Sequence, residues 1–304
     1  MPQLVEQHAE KVDAGKRVSL TKILVTTDFS EVSDRALDYG VALARRYDAR
    51  IYLAHVITPD PFQFAEPQLA QATYEKVRQA AEEGITDILI SGKLRGVPHE
   101  VLMEEGNVWP TLEKMILEHE IDLVVVGTHG RGKVQKILIG SVAEEIFRQA
   151  NTAVLTVGPA VKKTEKEESE LSHILFATDF GPGAARAAAH AFSLAQEHNA
   201  HLTLLHVIES AAAYTEESVA RQREINVARM KQLMPKGTED WCKPEFRVTF
   251  GAAVEEILIA ARESKADLIV MGAKARKNLA GHVPLTIAYN VVTKATSPVL
   301  TVRG

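Results

Sequence analysis

The sequence predicts an α/β protein made of two similar halves, each with a parallel β-sheet whose strands are joined by helices. The first observation is an internal repeat, because KILVTTDF at residues 22–29 returns as HILFATDF at residues 173–180. The second is an alternation of short apolar runs with longer segments of helical periodicity, which is typical of parallel strands with crossover helices. The third is length, since 304 residues suffice for two domains of about 150 residues each.

Five strands are expected in the first half. Their positions are near residues 22–27, 50–56, 86–91 or 97–104, 122–126 and 153–157. The first and fourth are continuous apolar runs, as expected of strands that are covered on both faces. The sequence alone does not choose between the two positions for the third strand.

A helix is expected between the first two strands of each half. In the first half, apolar residues recur at helical spacing over residues 32–47, and Ser30 or Ser33 can cap the start of this helix. The matching helix of the second half is alanine-rich and covers residues 184–195.

A later helix is expected after Gly106, where Pro110 fits a first helical turn. Gly251 begins the same passage in the second half. The offset between the halves is 151 at Asp179 (179 − 28) and 145 at Gly251 (251 − 106), so the second half is six residues shorter before this helix.

The segment between the halves is charged and is expected to be an exposed linker. The predicted boundaries are an N-terminal extension at residues 1–20, a first domain at 21–160, a linker at 161–170 and a second domain at 171–304.

Composition excludes several classes of protein. The 46% apolar and 25% charged residues are ordinary for a soluble globular protein, and a formal net charge of −5 gives no electrostatic case for binding nucleic acid. No apolar run is long enough to span a bilayer, and residues 1–20 lack the apolar stretch of a signal peptide. With Cys242 as its single cysteine, the chain is expected to be cytoplasmic, with no membrane partner.

A glycine-containing segment follows the fourth strand of the first half and has the parts of a phosphate-binding loop. Gly127 and Gly130 are expected to adopt positive φ and to let the backbone approach an anion. The pair Gly140-Ser141 is expected to open a helix whose free N–H groups favour phosphate. Arg131 and Lys133 either add positive charge to this site or face solvent.

The same segment offers an alternative interpretation. Residues 127–134, GTHGRGKV, nearly match the P-loop pattern Gly-x4-Gly-Lys-Ser/Thr, and only Val134 departs from it. The missing hydroxyl is the magnesium ligand of that motif, so a P-loop NTPase is the weaker hypothesis.

The second half has lost most of this segment. Ala275 replaces the second glycine, and Leu285-Thr286 replaces Gly140-Ser141. The contrast predicts one working anion site in the first half and a degenerate one in the second, with one nucleotide per chain.

Polar residues also end the first and second strands of each half. Asp28 could accept a hydrogen bond from a ribose or hold Mg²⁺ through water, or it could instead cap the following turn. Asp179 repeats it in the degenerate half. His55 and His206 end the second strands, where their imidazoles are expected to satisfy local backbone groups.

No conventional catalytic machinery is recognisable. The chain contains no His-Glu-x-x-His motif and no nucleophile elbow, and Cys242 has no second cysteine with which to bind zinc. No catalytic residue is therefore predicted, and slow ATP hydrolysis is the most that we expect.

Together these residues resemble the universal stress protein family in its tandem two-domain form. The resemblance covers residues 21–157 and 172–302, and its specific part is the long spacing Gly127-x2-Gly130-x9-Gly140-Ser141. It implies two flavodoxin-like or adenine nucleotide alpha hydrolase-like domains, each with five parallel strands and helices on both faces. It also implies binding of ATP, ADP or AMP, with Mg²⁺ as a candidate companion, in members that keep the glycine motif.

Carried over residue by residue, the resemblance implies a nucleotide site in the first half. It places Thr27 and Asp28 by the ribose and metal, and Val56 by the adenine. The residues implied at the strand end beside the nucleotide are Val126 and Gly127. The residues implied around the phosphates and ribose are His129, Gly130, Arg131, Gly140, Ser141 and Val142.

Family members pair through their last strands, so the resemblance implies that strands 154–157 and 299–302 pair within this chain and cover each other's edge. Whether two chains form a homodimer is left open. The leading functional hypothesis is an ATP-binding stress-response module. The alternatives are a nucleotide-free scaffold or chaperone-like protein and an adenylyl- or phosphoryl-transfer enzyme.

Overall fold

The structure is a computed structural model that describes residues 18–58, 67–128, 140–161, 171–209, 215–273 and 286–304. The first half contains the strands β1 (Lys22–Thr26), β2 (Arg50–Ile57), β3 (His99–Glu105), β4 (Leu123–Gly127) and β5 (Ala153–Val157). Its helices are α1 (Glu31–Tyr47), α2 (Pro67–Ile90), α3 (Val108–Glu118) and α4 (Ser141–Gln149).

The second half repeats this order. Its strands are β6 (His173–Ala177), β7 (His201–Ile208), β8 (Glu245–Phe250), β9 (Leu268–Ala273) and β10 (Val299–Arg303). Its helices are α5 (Ala184–His198), α6 (Glu216–Gln232), α7 (Ala253–Glu263) and α8 (Ile287–Lys294). Of the predicted extension and linker, only residues 18–20 and Val161 lie within the described residues.

The ten strands form one continuous sheet in the order β3-β2-β1-β4-β5-β10-β9-β6-β7-β8. Neighbouring strands are parallel within each half, whereas β5 and β10 are antiparallel, with Leu155 opposite Leu300. The predicted pairing of the two last strands within one chain is therefore confirmed, and each half covers the open edge of the other.

Helices cover both faces of the sheet, as predicted. One apolar core lies under α1, α2, α5 and α6, and the other lies under α3, α4, α7 and α8. Both cores cross the boundary between the halves. Leu155 and Leu300 belong to the first core, and Val154 and Val299 belong to the second. The two halves therefore share their hydrophobic cores.

The third strand lies at the second of its two predicted positions, because β3 begins at His99. The alternative position, 86–91, is wrong, since this segment is almost entirely part of α2. Ala81 and Ile85 are buried whereas Ile90 is 74% exposed, so the apolar side chains follow a helical repeat instead of the alternation of a strand.

The repeated Asp-Leu dipeptide at the start of β4 and β9 has a structural explanation. The Asp122 carboxylate accepts hydrogen bonds from the backbone N–H groups of Thr21 and Lys22, at 2.8 and 3.0 Å. Asp267 accepts the equivalent pair at the start of β6, at 2.8 and 3.0 Å. These aspartates stabilise the amino ends of neighbouring strands. The predicted nucleotide site lies at the opposite end of the strands, where their carboxyl ends meet.

No helix among the described residues is long and apolar enough to cross a membrane. No group of three or more His, Cys, Asp or Glu side chains in the same part of the chain is arranged to hold a metal ion.

Candidate functional site

The strand ends of the first half bring several predicted residues together. The strands β2, β1 and β4 are parallel neighbours, so Val56, Thr27-Asp28 and Gly127 lie at the same edge of the sheet. The strand order reverses between β1 and β4, and open α/β sheets bind ligands in the crevice at such a reversal.

The turn from β1 into α1 is held by short side chains. The buried Thr27 accepts a hydrogen bond from the N–H of Phe29 at 3.0 Å, and Asp28 Oδ1 accepts one from the N–H of Ser30 at 3.1 Å. Ser30 caps α1, because its hydroxyl accepts from the N–H of Ser33 at 3.2 Å. The structure thus shows the turn-stabilising contact of Asp28, and this half-buried residue lies at the carboxyl end of β1.

Phe29 has a left-handed backbone with φ 62°, which is uncommon for a bulky residue. Its ring centroid lies 4.6 Å from that of His55, and His55 Nδ1 lies 2.8 Å from the carbonyl oxygen of Thr27. Phe180 has φ 57°, and its ring lies 4.6 Å from the ring of His206. The predicted role of both imidazoles in satisfying local backbone groups is confirmed, since His206 Nδ1 also lies 2.8 Å from a carbonyl oxygen.

Gly127 lies in a close packing contact between a strand and a helix. The prediction of a positive φ at this residue is wrong, because Gly127 is absent from the described glycines with positive φ. A Cβ atom on Gly127 would lie 2.9 Å from the backbone nitrogen of Ser33 and 2.9 Å from the carbonyl carbon of Val32. The glycine is therefore needed because the first turn of α1 packs directly on the end of β4. Gly272 has the same role, with Gly183 as its neighbour at 3.2 Å.

The starts of α4 and α8 differ between the halves. The predicted helix start at Gly140-Ser141 is confirmed. Gly140 caps α4 without any side-chain hydrogen bond, and its N–H donates to the carbonyl oxygen of Thr128. At the start of α8, the hydroxyl of Thr286 accepts from the N–H of Tyr289 at 3.2 Å. Thr286 thus accepts a hydrogen bond from an N–H group in the first turn of α8. Gly140 has no side chain that could do the same for α4, so the corresponding N–H group there is left to other partners.

The fold also positions several other residues of the predicted site. Val126 is buried in β4, whereas Val56 and Val142 are half-buried and pack against the core under α3, α4, α7 and α8. Ser141 is the first residue of α4. The predicted residues that lie outside the described ranges are His129, Gly130 and Arg131, together with Lys133, Val134, Ala275 and Leu285.

The structure also contains a large cavity that sequence reasoning missed, in the second half. Its volume is about 660 Å³, and it lies at the carboxyl ends of β6, β7 and β9. Thr178 and Asp179 line it from the β6 end, Val207 from β7 and Arg303 from β10. Residues 145 and 147–149 of α4 complete the wall, so the cavity lies between the two halves.

Comparisons with known proteins agree with this architecture. The sequence profile of the universal stress protein family matches the chain twice, at residues 19–158 and 170–303. A universal stress protein of Mycolicibacterium smegmatis is 27% identical over 294 residues, which are 92% of this chain and 96% of the relative. One from Methanocaldococcus jannaschii is 29% identical over 147 residues, which are 48% of this chain and 84% of the relative.

Solved structures show the same fold. A universal stress protein from Archaeoglobus fulgidus has a TM-score of 0.66 and 19% identity, and the match covers 93% of this chain and 98% of that one. A putative universal stress protein from Pseudomonas aeruginosa has a TM-score of 0.62 and 18% identity, with 94% of each chain covered. On the strength of the two profile matches, the chain belongs to the universal stress protein family and contains two such domains in tandem.

Proposed function

We propose that this chain is an ATP-binding universal stress protein that acts as a nucleotide-dependent binding module in the stress response. One nucleotide, ATP or its products ADP and AMP, binds in the first domain, residues 21–160. The observation that carries the proposal is the difference between the two helix starts. Gly140 leaves the first turn of α4 without a side-chain cap, whereas Thr286 caps α8.

The start of α4 supports phosphate binding. The first N–H groups of a helix have no partner within the helix, and together with the helix dipole they favour an anion. A glycine at the cap leaves room for phosphate oxygens beside these N–H groups. The hydrogen bond from Gly140 to Thr128 holds the helix start against the end of β4, next to the crevice.

The ends of β1 and β2 support binding of the nucleoside. Asp28 is half-buried at the end of β1, and Val56 is half-buried at the end of the neighbouring β2. A carboxylate suits the ribose hydroxyls, and an apolar side chain suits the face of an adenine. Asp28 also suits Mg²⁺, which proteins commonly hold through one or two carboxylates, water and the substrate phosphates. The metal would neutralise phosphate charge.

The role is binding, with slow hydrolysis at most and no residue assigned to catalysis. The expected cytoplasmic location and the absence of nucleic-acid and membrane partners remain predictions. So does the proposed division into an extension at 1–20, domains at 21–160 and 171–304 and a linker at 161–170.

A change of one cap residue tests this assignment. Gly140 has φ −56° and ψ 149°, a conformation open to any residue, and Asp is a good helix cap. Gly140→Asp should therefore fold normally while its carboxylate repels phosphate. Calorimetry should give one ATP per wild-type chain and an affinity at least about tenfold lower for the variant, a loss of about 1.4 kcal/mol.

The matched control is Thr286→Asp, which adds the same charge to the corresponding helix of the second domain. It should leave ATP affinity unchanged. Equal affinity of Gly140→Asp and wild type would refute the assigned site, and two equivalent nucleotides per chain would refute the asymmetry. Protein that binds no nucleotide, either in calorimetry or in native mass spectrometry after purification, would favour the scaffold or chaperone-like alternative. Nucleotide-dependent conversion of a second substrate would favour the transferase.

A further inference from the structure

The cavity of the second domain has the size and the walls of a ligand site. We propose that it binds an organic acid of about nucleoside size, whose single carboxylate or phosphate group pairs with Arg303. This site is separate from the proposed nucleotide site in the first domain, and nothing in its chemistry depends on ATP binding there.

The size and the apolar walls of the cavity indicate the size and the apolar character of its ligand. Pockets for small molecules usually measure about 300–1,000 Å³, and this cavity of about 660 Å³ lies within that range. Its apolar lining lies on the face of the sheet that α3, α4, α7 and α8 cover, and includes Leu205, Val207, Ile257, Met271 and Ile287. An aromatic or branched aliphatic body would bury its surface against these side chains.

Arg303 indicates the charge of the ligand. Its side chain is half-buried at the end of β10, and one Nη donates a hydrogen bond to the carbonyl oxygen of Phe147 at 2.8 Å. Within the described part of the chain Arg303 forms no salt bridge, and its buried Nε meets no acceptor there. Burial lowers the pKa of this guanidinium, because it removes water from the charge. A desolvated guanidinium is best satisfied by a carboxylate or phosphate.

Other charges limit the ligand to one acidic group. Three carboxylates, those of Glu145, Asp179 and Glu209, also line the cavity, and Glu209 accepts a hydrogen bond from the N–H of Ala253 at 3.0 Å. Glu209 therefore accepts from one N–H group at the start of α7, and Thr286 accepts from one at the start of α8. Each helix start thus has fewer free N–H groups for a phosphate chain, and the three carboxylates repel additional negative charge.

The first domain has no equivalent of this site, although α4 of the first domain forms part of the cavity wall. With the offset of 145, Arg303 corresponds to Gly158 (303 − 145), so the first domain has no equivalent cation. Arg148 of α4 also lines the cavity, but its guanidinium lies 3.8 Å from the Glu144 carboxylate and is partly neutralised. Arg303 is thus the cation best placed to hold the ligand.

Two probes with the same ring and opposite charge test the proposal on the full chain. Indole-3-acetate carries a carboxylate, and tryptamine carries an amine. Saturation-transfer NMR titrations, in the presence and absence of saturating ATP, should show indole-3-acetate binding at least about tenfold more tightly than tryptamine, a difference of about 1.4 kcal/mol. Binding that ATP does not displace is separate from the nucleotide site. If ATP does not bind at all, the proposed function is refuted, but the proposed ligand site in the second domain is not.

The Arg303 variants connect binding to this residue. Arg303→Gln should lose the preference for indole-3-acetate, and Arg303→Lys should restore part of it. Arg221→Gln removes an exposed cation from α6 and should bind as wild type does. Circular dichroism and melting temperature check that each variant is folded.

A second pair, AMP and adenosine, distinguishes a phosphate ligand from a carboxylate ligand. This pair is measured in the Gly140→Asp background, with and without Arg303→Gln. Arg303-dependent preference for AMP alone assigns the site to phosphates, and the same preference for indole-3-acetate alone assigns it to carboxylates. No preference for the anionic member of either pair, or a preference that survives Arg303→Gln, overturns the proposal.

Discussion

Gly127 and Ser33 approach so closely that a Cβ atom on the glycine would lie 2.9 Å from the serine backbone nitrogen. The contact joins the end of β4 to the first turn of α1, where backbone atoms on both sides leave little room to adjust. Gly127→Ala should therefore destabilise the protein by about 1–3 kcal/mol, the usual range for overpacking. Urea denaturation followed by circular dichroism measures this loss.

Gly272→Ala serves as the comparison, because the corresponding Cβ atom would lie 3.2 Å or more from its neighbours. A shift of a few tenths of an ångström would relieve this contact, so the loss of stability should be smaller. Equal losses for the two variants would show that the closer packing in the first domain has no energetic consequence.

The two strand-end aspartates allow a matched test of ligand binding. In Asp28→Asn the amide oxygen can still accept the hydrogen bond from Ser30, so stability should change little. Loss of the negative charge should weaken ATP binding in the presence of Mg²⁺ by about tenfold, because hydrogen bonds to charged groups contribute about 1.5–3 kcal/mol. Asp179→Asn should leave ATP affinity unchanged. Calorimetry on both variants makes the comparison, and equal affinities would remove Asp28 from the site.

Half-buried histidines should make stability depend on pH. Burial lowers the pKa of His190 and of His206, and the positive charge of Arg186 adds to the effect at His190. The unfolded chain takes up protons as pH falls through about 6.5, whereas the folded protein resists protonation until a lower pH. Stability that is present above this value is therefore lost as pH falls towards the folded pKa values.

NMR titration of the imidazole Cε1–H signals gives each folded pKa separately. Both midpoints should lie below about 6.5. Urea denaturation at about pH 7 and about pH 5 should show a smaller pH dependence for His190→Gln than for wild type. Midpoints at or above the ordinary value for histidine would contradict the assignment of burial as the main cause.

How far the sequence predicts this protein depends on the kind of contact involved. Apolar runs such as 123–126 predict strands well, because a strand that is buried on both faces needs apolar side chains throughout. The segment 86–91 is ambiguous, since its isoleucines suit a strand and their burial in a helix depends on what packs against them. For Gly127, sequence cannot separate a need for positive φ from a need for close packing, which appears only when α1 is in place.

The cavity of the second domain was beyond sequence reasoning for a related reason. Its walls combine α4 of the first domain with Arg303 at the end of the chain, and these segments meet only because β5 pairs with β10. The second half lacks the glycines of the first, and Thr286 caps α8 there. The loss of these glycines did not indicate that a cavity remains.

The shared cores predict that the two domains unfold together, and the two tryptophans can report on each half. Trp109 lies in α3 of the first half, and Trp241 lies in the second half. In the single-tryptophan variants Trp241→Phe and Trp109→Phe, fluorescence and circular dichroism should give coincident urea transitions within each variant, as expected of a cooperative unit.

Leu300 is 3% exposed and lies opposite Leu155 in the central strand pair. Adding Leu300→Ala should lower both tryptophan-reported midpoints, with a loss of about 2–5 kcal/mol. If only the Trp241 signal moves, the two halves unfold separately despite their shared cores.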